Sequence, residues 1–594
     1  MKNFFVFFLI LSVTASIFMA CGGAQQSQNV TGGQRVVTQV TPQPLRVSPQ
    51  ADLGDSSWHP QPATSYSTNP RYPQQPAVSN TNGFPIVQQT VTMRVATPQQ
   101  ANVLDYNNIA SMDFMEALTN VRVEWEILPQ SNPMERVNLM FAAGENLPDM
   151  FYAMGFPAPM QITLGAGGLI IPLNDLIEEH AYHYKRLFEH DANHYPSMIS
   201  VDGNIYAIAD RVMNQANQVD MRFWINQPFL DVLGMQIPTT TEEYYRYLVG
   251  VRDRDVNRNG NPNDEIPLIG SIDSGNTLDG FLMNAFIYNE PRDGRRMFIR
   301  PDGTIDVSYN KPEWRQGVEY LRRLYAENLI APESYTINGA ALRGMVELDP
   351  HPVVGSLPSG GPHGFANATG DRRTHYRIVP PLRGPNGVQI AYYNEYQEIR
   401  IGRVVITKDC VIPEVVMKWI DYNFTPDWWT RNRYGVLGQD WIVPPPGTPS
   451  VTGGIAMYEE ILPWGTPNNS ILVQACHWVR WGSYDRTISE DPFELEAVLW
   501  NSRNVYWPYR FMNSVPSNIA YTVEEARDFT ALNTDIISHV NQSLAGFITG
   551  RIPLNDANWN TYVQQLDRLG LANLLSIVQT GFDRQWAAPL GYRR

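Results

Sequence analysis

The folded part of the chain opens with apolar residues that alternate with polar ones. Val91, Met93 and Val95 follow this period-two pattern, which predicts a strand, and a helix-length segment then runs to about Leu118. A second predicted strand repeats the pattern at Val121, Val123, Trp125 and Ile127. A strand, a helix and a second strand in this order predict a βαβ unit with parallel strands.

Helix signals continue along the rest of the chain. Residues 134–143 have helical spacing and end at Gly144, where a left-handed glycine can stop a helix. Residues 239–243 read Thr-Thr-Thr-Glu-Glu and residues 522–525 read Thr-Val-Glu-Glu, and both contain capping boxes that predict helix starts. Pro312 is typical of a first helical position. The pattern predicts a doubly wound α/β protein with more than one lobe and a helical carboxy-terminal region.

The amino terminus has the pattern of an export signal. An almost uninterrupted apolar run from Phe4 to Ala20 follows Lys2 and stops directly before Cys21. A small residue before a cysteine at this place resembles the lipobox of bacterial lipoproteins, which implies a signal peptide over residues 1–20 and acylation of Cys21. Ordinary secretion and an uncleaved membrane anchor are the alternatives, and a run of roughly 17 apolar residues is short for a membrane span.

A polar, low-complexity segment separates this signal from the folded part. Residues 21–88 are rich in Gln, Ser, Thr, Pro, Asn and Gly and contain no lysine or glutamate. Such a composition cannot bury enough apolar surface to offset its conformational entropy. We therefore predict that residues 21–88 form a flexible tether, which would lift a lipid-anchored domain off the membrane.

Composition and charge narrow the class of ligand. The chain has 594 residues, of which 43% are hydrophobic and 17% charged, and this is a globular composition for more than one domain. Its 59 acidic and 44 basic residues give a net charge of −15, which opposes nucleic-acid binding because a polyanion needs a basic surface. The 15 Trp, 29 Tyr and 23 Phe residues favour a flat or sugar ligand, although aromatic rings also fill cores.

Short motifs follow one another in a fixed order. They are Gly-Glu-Asn-Leu-Pro-Asp at 144–149, Gly-Asn-Ile-Tyr-Ala-Ile at 203–208, Leu-Asp-Val-Leu-Gly at 230–234, Pro-Leu-Arg-Gly-Pro-Asn-Gly at 381–387 and Tyr-Gly-Val-Leu-Gly-Gln-Asp-Trp at 434–441. In this order they resemble the extracellular solute-binding proteins of ABC importers, specifically the lipoprotein branch that includes receptors for oligosaccharides such as alginate fragments. The resemblance covers nearly everything after the tether.

This resemblance implies an α/β, two-lobed periplasmic-binding-protein-like fold of type II, whose lobes are joined by a hinge and close on an oligosaccharide. It also implies a monomeric, lipid-anchored receptor on the extracytoplasmic side of the membrane, which delivers its ligand to ABC permease subunits. On this basis we expect the N lobe to comprise residues 89–213 and 401–455, and the C lobe to comprise residues 214–400 and 456–594.

The sharpest chemical signal is a loop that reads Asp-Val-Asn-Arg-Asn-Gly-Asn-Pro-Asn-Asp-Glu over residues 255–265. Oxygen-bearing side chains at every second position, with a glycine at the sharp turn, suit Ca²⁺, which takes six to eight oxygen ligands. The alginate-receptor branch binds calcium in a similar loop, which implies a structural Ca²⁺; the alternative is a polar turn that binds nothing. The implied ligands are Asp255, Asn257, Asn259, Asp264 and Glu265, with a backbone carbonyl from Asn261 and with Asn263 as a competing ligand.

Ring-dense polar stretches supply the candidate ligand site. Sugar hydroxyls need polar partners, while the apolar faces of a sugar rest on aromatic rings. The candidates are Asp149, at the edge of the cleft, together with Trp224, Tyr393, Glu395, Trp464, Trp478 and Trp481. For each ring the alternative is a place in the core.

Catalysis has little support in the sequence. The chain contains no H-E-x-x-H, G-x-S-x-G or P-loop motif, so we predict a receptor and not an enzyme; a secreted carbohydrate-active hydrolase and a surface scaffold or adhesin remain alternatives. Histidine pairs 180/183 and 190/194 have helix-like spacing but no identifiable third metal ligand, which favours solvated or capping roles. Cys410 and Cys476 are interpreted as separately buried thiols, with a disulfide as the alternative.

Overall fold

A computed structural model describes residues 60–592 except 101–102, 131, 191–193, 213–214, 220, 274, 291–293, 368–369, 394–398, 463–477, 480–485 and 588–589. Its strands are β1 Gln61–Pro62, β2 Tyr66–Ser67, β3 Val78–Ser79, β4 Gly83–Phe84, β5 Val91–Pro98, β6 Val121–Leu128, β7 Met150–Tyr152, β8 Ile208–Val212, β9 Phe223–Asn226, β10 Met297–Ile299, β11 Ile305–Val307, β12 Ser356–Pro358, β13 Tyr376–Val379, β14 Ile399–Ile406, β15 Trp441–Ile442, β16 Glu459–Glu460 and β17 Trp478–Val479.

Its helices are α1 Ala110–Thr119, α2 Pro133–Ala143, α3 Ala158–Ala166, α4 Asn174–His180, α5 Tyr182–His190, α6 His194–Met198, α7 Gln215–Gln218, α8 Gln227–Leu233, α9 Thr241–Asp253, α10 Leu278–Leu282, α11 Pro312–Ala326, α12 Gly339–Val346, α13 Pro413–Tyr422, α14 Pro426–Tyr434, α15 Leu495–Tyr506, α16 Val523–Ile548, α17 Asp556–Arg568 and α18 Leu571–Gln585.

A six-stranded sheet with the order β17-β8-β14-β7-β5-β6 is the frame of the N lobe. Strands β5, β6 and β7 are mutually parallel, and α1 connects β5 to β6, which confirms the predicted βαβ unit. Strand β14 is antiparallel to both β7 and β8. The sheet is therefore mixed, because β14 enters it on the return of the chain from the second lobe.

Alternation along these strands places apolar side chains on both faces of the sheet. Val95 and Tyr152 belong to a core shared with α13, and the Tyr152 ring meets the Trp419 ring edge-on at 5.5 Å. Ala96 and Phe151 belong to the opposite core, which continues through α2 and α3 into the second lobe. Both faces are covered, as expected of a parallel α/β sheet.

The C lobe is built around an antiparallel three-stranded sheet with the order β12-β9-β13. The predicted helix starts are confirmed there: Thr240 and Glu243 form a capping box before α9, and Pro312 is the first residue of α11. Thr522 and Glu525 form a second capping box before α16. Helix α16 packs against α11 of the C lobe and also against α3 of the N lobe.

The structure corrects the extent of the predicted tether. Residues 60–88 contain β1 to β4, and Val78, Ile86 and Val87 are buried in the same core as α13. A few well-spaced apolar side chains anchor this segment, although its average composition is polar. The predictions for residues 1–59, including acylation of Cys21, lie outside the described residues.

The chain passes from the six-stranded sheet to the three-stranded sheet between β8 and β9, and it returns between β13 and β14. Strand β17 pairs in parallel with β8, so Trp478–Val479 lies in the N-lobe sheet, whereas residues 456–594 are predicted to lie in the C lobe. The other predicted lobe boundaries stay a prediction. None of the helices in the described ranges has the length and apolarity that a membrane span requires.

Candidate functional site

The candidate ligand site lies where the N-lobe strands end and the chain crosses between the lobes. In open α/β sheets, ligands bind outside the carboxyl ends of the strands. The turn after β7 is held by two hydrogen bonds to β14, from Met154 N to Arg403 O at 3.1 Å and from Phe156 N to Gly402 O at 3.0 Å. A Cβ placed on Gly155 would meet no heavy atom within 4 Å, so this turn faces open space.

A buried ion cluster fixes the N-lobe side of the crossing. The Asp210 carboxylate on β8 is fully buried and accepts from Arg400 Nε at 2.7 Å and from Arg403 Nε at 3.3 Å. Arg403 also donates to the carbonyl of Met154, at the turn after β7. The cluster therefore connects β8 and β14 to the turn after β7.

Helix α15 fixes the C-lobe side. The Tyr506 hydroxyl donates to Val379 O at 2.6 Å and accepts from Phe223 N at 3.1 Å, so it joins the ends of β13 and β9 where they approach the crossings. Just beyond this tyrosine, Phe511 N donates to Ala391 O at 3.1 Å. The residues after α15 are thereby held beside the segment that returns to the N lobe.

Five side chains meet at this place and are called here the hinge cluster: Tyr393, Trp500, Arg503, Trp507 and Arg510. The Trp507 ring is half-buried and lies 5.5 Å edge-on from the Tyr393 ring. The Arg503 and Arg510 guanidinium groups lie 4.2 Å and 4.5 Å from the Trp507 ring centroid, and Arg503 lies 5.1 Å from that of Trp500. Half-buried rings flanked by multidentate donors are suited to the faces and hydroxyls of a sugar.

The hinge cluster contains two positively charged side chains, although the chain as a whole has a net charge of −15. Burial lowers the pKa of the Arg503 guanidinium, and the charge of the neighbouring Arg510 lowers it further. The two cations are brought together by the aromatic ring between them, because a guanidinium group stacks favourably on the face of a tryptophan. The arrangement provides an array of N–H donors next to apolar rings.

Tyr393 is 6% exposed and belongs to the hydrophobic core, so a ligand contact by its ring stays a prediction. Trp500 and Trp507 are not among the ligand residues that the sequence predicts. Their signal was present: residues 500–510 read Trp-Asn-Ser-Arg-Asn-Val-Tyr-Trp-Pro-Tyr-Arg, which is as dense in rings as the stretches that were chosen. Of the other predicted ligand residues, Glu395, Trp464 and Trp481 lie outside the described residues, and Trp478 is described only as part of the backbone of β17.

Trp224 is a core residue and not a cleft ring. It is 2% exposed, its Nε1–H donates to Ser359 O at 2.9 Å, and its ring packs against Phe365 at 5.6 Å. The position on β9 explains this, because the strand is central in a three-stranded sheet and its side chains are covered on both faces. The prediction of a ligand contact by Trp224 is wrong in this structure.

Asp149 is also placed away from the cleft. It precedes β7, at the amino end of the strand, whereas ligands of open α/β sheets bind beyond the carboxyl end, which here is Tyr152. Its carboxylate accepts from Arg94 N at 2.8 Å and extends the pairing of β5 with β7. Burial raises the pKa of Asp149, so its perturbation reflects a structural position between two strands.

The predicted calcium loop is folded around its own oxygen atoms. Asp255 accepts from Asn259 N at 3.1 Å and from Gly260 N at 2.9 Å, and Gly260 has the positive φ of +88° that the turn requires. Asp264 accepts from the side-chain amides of Asn257 at 3.3 Å and Asn259 at 2.6 Å. These contacts bring together four of the predicted ligands.

Glu265, the last residue of the loop, is the fifth predicted side-chain ligand. Its Oε1 accepts from Asn257 N at 3.3 Å, whereas its Oε2 is buried and has no hydrogen-bond partner among the described residues. Burial raises the pKa of this carboxyl, because a buried charge without a partner is costly. An unsatisfied carboxylate oxygen beside Asp264 is the environment that a hard cation would stabilise.

The remaining two predicted ligands lie on the outer side of the loop. Asn261 N donates to Asn259 Oδ1 at 2.7 Å, and Asn263 N donates to Asn261 Oδ1 at 3.3 Å. Across residues 60–592, within the described ranges, no group of three or more His, Cys, Asp or Glu side chains is positioned to hold a metal ion. The loop's amide oxygens are therefore needed to complete any coordination shell.

Comparison with known proteins gives relatives of one kind. The fructooligosaccharide ABC transporter substrate-binding protein FusA of Streptococcus pneumoniae serotype 4 is 24% identical over 536 residues, which are 85% of this chain and 92% of FusA. The S. pneumoniae FusA structure in complex with kestose aligns with a TM-score of 0.72 at 23% identity, over 84% of this chain and 100% of that one. The fold is that of an ABC-transporter substrate-binding protein.

Two further matches support this substrate-binding-protein fold. An extracellular solute-binding protein from Bifidobacterium longum subsp. infantis aligns with a TM-score of 0.69 at 19% identity, over 83% of this chain and 98% of that one. Lipoprotein LipO of Bacillus subtilis (strain 168) is 21% identical over 334 residues, 55% of this chain and 62% of LipO. No protein-family model matches the chain.

These relatives confirm the resemblance stated from the motifs, and they confirm the two-lobed α/β fold. FusA is described as the substrate-binding protein of an ABC transporter, and LipO is described as a lipoprotein. One further FusA structure, with a TM-score of 0.72 and 22% identity over 84% of this chain and 100% of that one, is described as an EF-hand mutant in complex with fructo-nystose. A calcium-type loop is thus a feature of a protein with this fold.

Proposed function

We propose that this chain is the receptor of an ABC importer and captures an oligosaccharide between its two lobes for delivery to a membrane permease. The observation that carries the proposal is the hinge cluster, which offers ring faces and guanidinium donors at the crossing between the lobes. FusA is described as a fructooligosaccharide-binding protein, so short fructans are the first ligands to test.

The test is calorimetric titration of the mature chain with a panel of oligosaccharides that includes kestose. A ligand at 100 times its Kd raises the free energy of unfolding by about 2.7 kcal/mol, so thermal shift can screen the panel first. Trp507→Ala is expected to weaken binding of a positive ligand roughly tenfold, about 1.4 kcal/mol, because it removes the central ring. Tyr182→Ala, an exposed ring on α5, is the matched control and should bind like the wild type.

Chromatography of the ligand after incubation separates the receptor from a hydrolase. A receptor returns the oligosaccharide at its original length, while a hydrolase shortens it. Wild-type affinity in Trp507→Ala would contradict the position of the site, and failure of the whole panel to bind would contradict the proposed ligand class.

We also propose that the 255–265 loop holds a structural calcium ion. Asp255, Asn257, Asn259, Asp264 and Glu265 would supply its side-chain oxygens. Ca²⁺ would neutralise the carboxylates of Asp255 and Asp264, which both accept a hydrogen bond from Asn259. The unpartnered Oε2 of Glu265 and the amide oxygens support this assignment. The ion would fix the connection between α9 and the segment that follows it.

Chelation is expected to lower the melting temperature of the wild type and to leave that of Asp255→Ala unchanged. Asp253→Ala is the matched control, since Asp253 lies just outside the loop and pairs with Arg252 at 2.7 Å. Elemental analysis of the untreated protein checks the stoichiometry. A wild-type protein that contains no calcium and melts identically with and without chelator would refute the site.

We propose, finally, that Cys21 is acylated and attaches the receptor to the extracytoplasmic face of the membrane. The LipO match, a lipoprotein by description, supports this alongside the apolar run that precedes Cys21. Metabolic labelling with a fatty acid should mark the wild type and not Cys21→Ser. Equal labelling of the two chains would contradict the anchor.

A further inference from the structure

The first turn of α13 lacks a cap of its own. The residue before the helix is Ile412, whose side chain cannot accept a hydrogen bond, and the helix starts at Pro413. The first amides of a helix have no intrahelical acceptor and need one from elsewhere. Here that acceptor comes from a segment more than 300 residues earlier in the chain.

Gln75 supplies it. Its Oε1 accepts from Glu414 N at 3.0 Å and from Val415 N at 3.4 Å, while its Nε2 donates to Glu414 Oε2 at 2.9 Å. The side chain is 6% exposed, so water is largely excluded from these bonds. Asn69 adds a second amide donor to Glu414. The side-chain amide of Gln75 therefore caps α13 and is itself held by the carboxylate of Glu414.

The same segment follows α13 to its last turn. The backbone carbonyl of Thr81 accepts from Lys418 Nζ at 3.0 Å, and the Phe84 ring meets the Tyr422 ring edge-on at 5.2 Å. Burial lowers the pKa of Lys418. Residues 69–87, called here the strap, are thus attached at both ends of the helix.

The strap also connects α13 to the central sheet. Ile86 N donates to Thr119 O at 3.0 Å, at the end of α1, and strand β5 begins four residues after Val87. Val78, Ile86 and Val87 are at most 2% exposed within the core that contains Val415. The strap is therefore an integral part of the N lobe.

We propose that the strap makes the N lobe the membrane-fixed half of the receptor: a pull on the lipid anchor is taken up at α13, and the C lobe is the half that moves. This rests on the proposed anchor at Cys21. The chain from Cys21 first meets the strap's contacts with α13, then enters β5 and the rest of the N-lobe sheet, and reaches the C lobe last. The strap thus makes the N lobe the lobe through which the anchor is joined to the rest of the receptor.

Hydrogen exchange on the full-length chain tests the clamp. Gln75→Ala removes the cap, and amide exchange in the first turn of α13 is expected to accelerate at least tenfold, while exchange in α9 of the C lobe stays unchanged. Gln74→Ala is the matched control, since Gln74 is the exposed neighbour. Gln75→Asn keeps the amide but shortens its reach, and it should show the same effect if Gln75→Ala does not fold. Unchanged exchange at α13 in both Gln75 variants would overturn the proposal.

Energy transfer to vesicles tests the orientation. The acylated full chain is bound to phosphatidylcholine/phosphatidylglycerol vesicles that contain an acceptor lipid, and a donor dye is attached at position 139 on α2 or at position 272 in the C lobe, where exposed side chains stand. Position 139 is expected to give the narrower distance distribution in the wild type, and Gln75→Ala is expected to broaden it at least twofold. Equal widths at both positions in the wild type would overturn the proposal.

The vesicle experiment distinguishes an error in the proposed anchor from an error in the proposed role of the strap. Without acylation the protein does not sediment with the vesicles, and the proposed anchor is then wrong. If the protein sediments with the vesicles but the distance distributions at positions 139 and 272 are equally wide, the anchor proposal stands and the strap proposal is wrong.

Discussion

At the scale of single residues, two tryptophans with similar sequence surroundings have opposite roles. Trp224 is enclosed in the C-lobe sheet, and Trp507 is half-buried in the hinge cluster. Trp224→Ala is expected to lower the free energy of unfolding by roughly 3 to 5 kcal/mol, because it leaves a large cavity. Trp507→Ala should cost far less and should act on binding instead. Urea denaturation of both variants checks this, and equal losses would place Trp507 in the core.

His194 makes stability depend on pH. It is fully buried, its Nε2 lies 3.3 Å from the Tyr184 hydroxyl oxygen, and burial lowers its pKa from 6.5 to about 4. The folded state therefore binds fewer protons than the unfolded state between these values. The contribution is complete above about pH 6.5 and is lost as the pH falls towards 4, on the order of 3 kcal/mol.

His194→Gln tests this pH dependence, because it cannot take up a proton. We expect the wild type to lose more unfolding free energy than His194→Gln between pH 7 and 4 in denaturant titrations. His351→Gln, at an exposed position, should behave as the wild type. Parallel pH curves for the wild type and His194→Gln would exclude His194 as the source.

Residue identity alone could not separate these roles. A tryptophan is used in cores and in sugar sites alike, and the difference between Trp224 and Trp507 is set by the strands and helices packed around each of them. The interpretation of His194 as solvated or capping failed for the same reason, since a helix spacing gives no information about what covers the helix. The core that buries His194 also contains side chains of α13, which lies more than 200 residues further along the chain.

At the scale of elements, local signals were predicted well. The capping boxes at Thr240 and Glu243 and at Thr522 and Glu525 depend on residues three positions apart, so the sequence contains the whole interaction. Calcium binding by the 255–265 loop stays a prediction. The strap could not be predicted in this way. Gln75 and Glu414 are 339 positions apart, and a compositional average over residues 21–88 hides the three buried valine and isoleucine side chains.

The capping box of α16 can be tested independently. Thr522→Ala removes the acceptor for Glu525 N, a bond of 3.1 Å, and is expected to lower the free energy of unfolding by about 1 kcal/mol. Thr534→Ala lies on the exposed middle of the same helix and should be neutral or slightly stabilising, because alanine is the better helix former. Equilibrium unfolding in urea compares the two. A Thr522→Ala chain as stable as Thr534→Ala would show that the cap contributes nothing.

At the scale of the whole molecule, the two-lobed fold predicts a change of shape. A receptor must release its ligand to a permease, so its open and closed states should differ by only a few kcal/mol, and the ligand must favour the closed one. We expect the cognate oligosaccharide to reduce the radius of gyration in small-angle scattering. Trp507→Ala should require more ligand for the same change. A saturated receptor with an unchanged scattering curve would exclude closure.

The motif resemblance predicts an order of the lobes along the chain, which stays a prediction, but it does not predict the hinge cluster. The cluster joins residue 393 to residues 500–510, and only the folded crossing brings these segments together. Sequence patterns predict which elements form, but a ligand site between lobes depends on how the elements meet.

The strap has a practical consequence for anyone who produces this receptor without its membrane anchor. A version that begins at residue 89, where the polar low-complexity segment ends, would leave α13 uncapped and would expose Val415 and its neighbours to solvent. A recombinant version should therefore begin before Asn69. The same boundary applies to chimaeras, in which a foreign leader can replace the chain only upstream of that asparagine.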